Sequence, residues 1–281
     1  MVASGRRPLI AASLTSQAPP PELGVVGLGR MAQALLLPLL EAGEVSRDRV
    51  QAAVASRDSA ERLAAAHSLA VGTDSAPVWR APVVLLAVKP QQLDAVAAEV
   101  PAHCSGLLIS VLAGVTLKRL QRLLPAWRCV RAVPNTPALV RQGLTGLAYA
   151  DSVTPPEREW VQGLFRQVGE VVDLPESQLD AFLALTSSGP AFLAVVAEAM
   201  ADGAVAAGLS RSLAHRFAHR TLAGTAALLQ EQELHPAALK DMVSSPGGTT
   251  IAGLRALERT GLRSALIEAV VAAAERSREL A

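Results

Sequence analysis

The chain has 281 residues, 51% of them hydrophobic but only 3% aromatic, with 26 Lys and Arg against 25 Asp and Glu for a formal net charge of +1. That length suits two domains, each able to bury a core, and the balanced charge without a basic stripe argues against a nucleic-acid-binding face. Two isolated cysteines, Cys104 and Cys129, form neither a metal spacing nor a disulfide framework, which points to a reducing compartment and a cytoplasmic location.

Residues 1–21 contain no acid, two arginines and a closing Pro19-Pro20-Pro21. Their apolar residues lack helical periodicity, so they are read as a disordered tail rather than an organellar transit peptide. Residues 22–174 then read as a nucleotide-binding domain. Leu23 to Val26 is a short apolar run that leads into Gly27-Leu28-Gly29-Arg30-Met31-Ala32 and a helical stretch from Ala34 to Leu40. Strand, glycine turn and helix in this order form a pyrophosphate-binding βα unit: Gly27 for the tight turn, Gly29 for the close approach of phosphate, Ala32 for packing helix on sheet. Pro38 should kink that helix or remove one of its hydrogen bonds.

A second strand is expected from Val50 to Ala55, where an NAD enzyme places an acid for the ribose 2′-hydroxyl. This chain has Ser56-Arg57, a hydroxyl and a guanidinium that suit a 2′-phosphate, with Asp58 next. NADPH is therefore the expected cofactor and NADH the alternative. Val83 to Val88 is continuously apolar, as a parallel strand buried on both faces must be, and carries Ala87-Val88-Lys89-Pro90 at its carboxyl end, where ligands collect in open α/β sheets. Leu107 to Leu112 and Cys129 to Val133 repeat the pattern, the latter ending in Pro134-Asn135-Thr136-Pro137. Asn135, bracketed by prolines, is read as a contact to the nicotinamide end or as a turn former. Thr145 to Ala150 and Glu170 to Leu174 finish the sheet.

From 175 to 281 the periodicity is helical, with stops near Gly208, His235 and Gly261. Leu179 to Leu209 reads as one helix bent at Gly189-Pro190. Glu198 and Asp202 interrupt its apolar run, which argues against a bilayer span. It has no polar face, so it needs burial on all sides, and an obligate homodimer with interlocked helices is the physical inference. His215 and His219 lie at a zinc spacing without the glutamate of a metalloprotease helix, and no metal site is assigned. Ser244-Ser245-Pro246-Gly247-Gly248-Thr249-Thr250 precedes another helical run, Ile251 to Leu262. Free backbone N–H groups and the positive end of a helix dipole then meet at one spot, which is either a seat for a small anion or a well-capped helix start. Glu233 and His235, just upstream, either reach the ligand or cap the next helix.

With these residues assembled, the chain resembles the pyrroline-5-carboxylate reductases, through GLGRMA, the AVKP from Ala87, the VLAGV from Val111, the NTP at Asn135, SSGPAF from Ser187, ADGAVAAGL from Ala201, HPAALKD from His235 and SSPGGTTIAGL from Ser244. The resemblance implies an α/β fold, a Rossmann-type mostly parallel sheet domain followed by an all-helical dimerisation domain. It implies reduction of a cyclic imine carboxylate to L-proline by NAD(P)H, and dimers assembled into a larger ring such as a decamer. Within that resemblance, the substrate carboxylate is expected on the Gly248 and Thr249 N–H groups and the Ser245 hydroxyl. Thr250 is expected at the ring nitrogen as the catalytic residue, with Glu233 nearby. The cofactor is expected on Gly27, Leu28, Gly29, Arg30, Met31, Ser56, Arg57, Ala87, Val88, Lys89, Pro90 and Asn135. Many members have Gly-Ser-Gly-Pro where this chain has Ser187-Ser188-Gly189-Pro190, and some have Asn where Met242 stands. A β-hydroxyacid dehydrogenase is disfavoured because Ala184 to Ala191 contains no lysine, and a non-catalytic NADP sensor is the remaining alternative class.

Overall fold

Runs of aliphatic residues with no polar face must be buried on both sides, and in this chain they become the centre of an eight-stranded sheet. The computed structural model describes residues 23–280; the tail read over 1–21 lies outside them. β1 (Leu23–Val26) and β4 (Val83–Leu86) are buried at every residue, as is β5 (Gly106–Ser110). β2 (Val50–Ala53), β6 (Trp127–Val133), β7 (Gly143–Tyr149) and β8 (Gly169–Asp173) complete the expected set, and a short edge strand, β3 (Ala70–Gly72), joins it. The order is β3-β2-β1-β4-β5-β6-β7-β8, parallel throughout except where β7 runs antiparallel to β6. The segment between β6 and β7 is too short to hold a crossover helix, so the chain has to reverse there.

The expected strands from Val50, Val83 and Leu107 each end early, because their last residues peel away into the loops that precede the next helices. Those helices are α1 (Arg30–Ala42), α2 (Arg57–His67), α3 (Leu93–Ala98) and α4 (Leu117–Leu123), with α5 (Pro155–Arg166) between β7 and β8. Pro38 sits buried inside α1, which continues unbroken through it. At the other end of the sheet Trp79 meets Trp127 edge to face, ring centroids 5.4 Å apart. Both cysteines lie in this core, and burial pushes the Cys129 thiol up to about 12. Folded protein at pH 8 is therefore expected to resist alkylation by iodoacetamide at Cys129, with rapid labelling only after denaturation; labelling of the native state would place this thiol outside the core.

The helical half begins at α6 (Leu179–Thr186) and continues through α7 (Gly189–Ala206), α8 (Arg211–Glu231), α9 (Pro236–Met242), α10 (Thr249–Arg259) and α11 (Leu262–Glu279). The single bent helix expected from Leu179 to Leu209 is thus two helices. Pro190 supplies no N–H, and both Ser187 N and Ser188 N donate to the Leu183 carbonyl, so the regular ladder breaks between them. By length and composition Glu176–Ala206 is apolar enough to cross a bilayer. Its first half is nevertheless docked on the sheet domain, through Asp180 to the buried Arg131 and through Phe182 and Leu179 against Gly146. Its second half, α7, packs mainly on α8 and leaves Leu193 56% and Val195 66% exposed. α11 returns to the sheet domain, where Ser277 and Leu280 press on Gly114 and the Ser277 hydroxyl donates to Asp180 Oδ1 at 2.8 Å.

Candidate active site

Because β1, β2, β4, β5 and β6 are parallel, their carboxyl ends lie along one edge, and the strand order reverses between β1 and β4. The crevice outside such a switch point is where open α/β sheets bind nucleotides. Four predicted segments meet there: Gly27 to Met31 after β1, Ser56-Arg57 after β2, Ala87 to Pro90 after β4, and Asn135 after β6. Backbone bonds lock the rim, from Gly27 N to Ala53 O and from Ala87 N to Val26 O, both 2.8 Å.

The two glycines of the turn do different jobs. Gly27 has φ +89°, and a Cβ there would sit 2.7 Å from Ala87 O, so this position holds the turn against the end of β4. Gly29 has open space where its Cβ would be, and it is the N-cap of α1 with no side chain bonded across the helix start. Together they leave the first-turn N–H groups of α1 open to approach, which suits a pyrophosphate. At β2, Ser56 caps α2 by accepting from Ser59 N. Arg57 pairs with Glu61 at 2.9 Å on a fully solvated helix face, a contact weak enough for the guanidinium to turn to a ligand phosphate. Asp58 points from the same first turn. Lys89 is exposed, its N–H held by Gln92 Oε1 as the chain turns into a short 3₁₀ segment.

Asn135 stands at this edge, where the nicotinamide end is expected, and its carboxamide also has a task in the fold. It is buried; Oδ1 accepts from Leu144 N at 2.8 Å and Nδ2 donates to Thr186 O at 3.0 Å.

The expected anion seat lies between α9 and α10. Gly247 takes φ +68°, and Gly248 N donates to Ser245 O at 3.0 Å, closing a turn. In this structure that bond engages the Gly248 N–H expected at the carboxylate. α10 starts at Thr249, two residues earlier than the apolar period suggested, and its first intrahelical donor is Ala252, bonded to Gly248 O. The donors facing outward are therefore those of Thr249, Thr250 and Ile251. A Cβ at Gly248 would meet the Ser245 hydroxyl, so a side chain there would turn that hydroxyl away from the seat. Glu233 is exposed in the turn that closes α8, at φ +50°, while His235 Nδ1 accepts from Ala237 N and so caps α9. His215 and His219 lie side by side, ring centroids 6.2 Å apart, in the groove between α7 and α8, and no group of three metal-binding side chains occurs among the described residues.

The nucleotide edge and the seat are carried by separate parts of the chain. None of the substantial packing contacts joins α8, α9 or α10 to the sheet domain.

Sequence reasoning missed Arg131. This arginine is buried in the middle of β6, its guanidinium 3.3 Å from Glu176 and 3.2 Å from Asp180. The signal was available, a charge inside an otherwise apolar strand.

Comparison with known proteins agrees with this geometry. Residues 176–280 match the family model described as pyrroline-5-carboxylate reductase dimerisation, and residues 22–114 match that described as NADP oxidoreductase, coenzyme F420-dependent. The chain is 43% identical to a pyrroline-5-carboxylate reductase of Synechocystis sp., covering 92% of this chain and 98% of that relative. It is 38% identical to the mouse pyrroline-5-carboxylate reductase 3, covering 93% and 96%. Among solved structures, the Plasmodium falciparum pyrroline carboxylate reductase with NADP bound superposes with a TM-score of 0.84 at 26% identity, covering 92% of this chain and 98% of that one. The enzyme from Coxiella burnetii gives 0.82 at 32% identity, covering 94% and 99%. On this evidence the chain belongs to the pyrroline-5-carboxylate reductase family.

Proposed function

We propose that this protein reduces 1-pyrroline-5-carboxylate to L-proline with NADPH, in the cytoplasm, as a homodimer built through the helices of residues 176–280 and assembled further into a ring such as a decamer. The observation that carries the reading is the outward-facing first turn of α10, three backbone donors beside the Ser245 and Thr250 hydroxyls, in a chain that also has an open nucleotide edge.

A small cyclic imine with one carboxylate fits that turn. The carboxylate accepts from the Thr249 and Ile251 N–H groups, where the helix dipole favours an anion, with the Ser245 hydroxyl beside it. Thr250 places its hydroxyl at the ring nitrogen and orients the imine as it becomes a protonated amine, while Glu233, exposed and unpaired in its turn, adds negative charge near that cation. The cofactor edge is formed by Gly27, Leu28, Gly29, Arg30 and Met31 at the pyrophosphate, Ser56 and Arg57 at the 2′-phosphate, and Ala87, Val88, Lys89 and Pro90 toward the nicotinamide. When bound, the reduced nicotinamide supplies a hydride. A protonated imine is a good electrophile, so the residues here act mainly by positioning. Since α8, α9 and α10 make no substantial packing contact with the sheet domain, the seat is assigned to reach the cofactor from the second subunit. The exposed Leu193 and Val195 of α7 are the surface that such a subunit covers.

The test is steady-state oxidation of NADPH, then NADH, by purified protein with pyrroline-5-carboxylate. Faster turnover with NADPH is expected. Arg57→Ala should raise the KM for NADPH by about tenfold or more, the worth of one charge-assisted bond to phosphate, and leave that for NADH unchanged. Equal effects on both cofactors would remove the 2′-phosphate role. NADPH binding without any turnover would identify a sensor instead.

A further inference from the structure

We propose that Asn135 and Ser187 form a two-bond latch that positions the helical domain on the nicotinamide end of the sheet, and that both are positioning residues for the reduction. The inference rests on the proposed function for its kinetic readout.

A helix interior would bond Thr186 O to the N–H of residue 190, but Pro190 has none. The orphaned carbonyl instead accepts from Asn135 Nδ2 at 3.0 Å. One residue on, the Ser187 hydroxyl donates to Pro134 O at 3.1 Å. Pro134 and Asn135 directly follow β6, at the edge where the nicotinamide end is expected. Asn135 is held rigid by its second bond, from Leu144 N. The α6–α7 break is therefore stitched to the strand end by two adjacent bonds. One exists only because a proline removed the internal donor. The other uses a hydroxyl that the family's usual glycine lacks.

The location gives the latch its consequence. α6 is fixed to the sheet and to α11, whereas α7 leaves it with few contacts other than those to α8. The angle at the break thus sets where α7, and α8 packed on it, stand relative to the sheet domain, and through the exposed dimer surface of α7 where the second subunit's seat meets the cofactor edge. Displacement by a fraction of an ångström at the break becomes larger at the end of an 18-residue helix. Misplacement of about 1 Å at reacting atoms can cost about a hundredfold in rate.

The experiment compares wild type with Ser187→Ala, Ser187→Thr, Asn135→Asp, Pro190→Ala and the double variant Asn135→Asp/Pro190→Ala. The readouts are kcat and KM for pyrroline-5-carboxylate, the Kd for NADPH by fluorescence, and amide exchange of residues 183–192. Asn135→Asp keeps an acceptor for Leu144 N, removes the donor to Thr186 and sets a carboxylate oxygen against that carbonyl. It is expected to lower kcat about tenfold with NADPH Kd unchanged, and Ser187→Ala to lower it about threefold, with Ser187→Thr restoring most of the loss. Pro190→Ala returns an N–H to the helix, so Asn135→Asp in that background should cost much less than in wild type. Equal cost in both backgrounds, or Ser187→Ala and Asn135→Asp indistinguishable from wild type in kcat, overturns the latch. If the wild type itself fails to turn over the imine, the functional reading fails, and the same double-mutant cycle read by amide exchange still decides whether the two bonds hold the break.

Discussion

Replacing Thr250 by alanine is expected to lower kcat for pyrroline-5-carboxylate by ~10–1000-fold, the loss of a transition-state hydrogen bond of roughly 1.4–4 kcal/mol, with NADPH affinity unchanged. The side chain stands at the second position of α10, beyond the turn closed by Gly248 N and Ser245 O, where it belongs to no hydrogen bond of the chain itself. Removing it leaves the helix start intact, so the change isolates the chemistry from the fold. Thr250→Ser should keep most of the rate. Ser245→Ala should raise KM more than it lowers kcat, because its hydroxyl is assigned to the carboxylate, which does not change charge during the reaction. Near-wild-type turnover by Thr250→Ala would remove Thr250 from the mechanism and leave the α10 N–H groups as the whole of the seat's contribution.

The second large effect concerns stability. Asp180 accepts from Arg131 at 3.2 Å and from Ser277 at 2.8 Å, joining β6, α6 and α11 at one carboxylate that is 17% exposed. Glu176 closes the group, accepting from Arg131 and from Leu117 N at 2.7 Å. Asp180→Ala would leave a guanidinium only 2% exposed with a single acidic partner. A loss of about 3 kcal/mol is expected, the lower end of what breaking a buried ion pair costs. The thermal midpoint should drop by about 10 °C. Asp180→Asn, which can still accept from Ser277, should lose less. A midpoint unchanged in Asp180→Ala would mean that α11 is held on the sheet domain by apolar contact alone.

The sheet was readable because its strands are buried on both faces, and burial of that kind leaves an unbroken aliphatic run. β3 escaped because Ala70–Gly72 is three residues at a partly exposed edge and carries no such run. The glycine turn was readable for its residue types, yet the division of labour between Gly27 and Gly29 depends on the end of β4, sixty residues on, which spacing cannot express. At the seat, the pattern Ser-Ser-Pro-Gly-Gly-Thr-Thr located the turn correctly. Which N–H groups it frees depends on where the helix starts, and the apolar period suggested Ile251 because Thr249 and Thr250 are polar. Asn135 shows a different limit: its partners, Leu144 N and Thr186 O, are backbone groups of other elements, and no side-chain motif advertises them. Gly189-Pro190 announced a bend in the helix, but neither that it would split in two nor that a distant amide would satisfy the carbonyl it orphans.

The reversal at β7 has a consequence for α6. A chain leaving β8 does so at the edge of the sheet opposite the nucleotide loops, so the eight residues of α6 must carry it back. That helix is fastened near its start to β6, Asp180 to Arg131, and again at its end, Thr186 and Ser187 to Asn135 and Pro134. It works as a ruler between two fixed marks. Substitutions along its outer face leave the ruler intact, but inserting or deleting one residue would turn everything beyond by about 100° and shift it about 1.5 Å along the axis. Both bonds at its end would then miss. Variation in this stretch should therefore take the form of exchanged side chains at constant length.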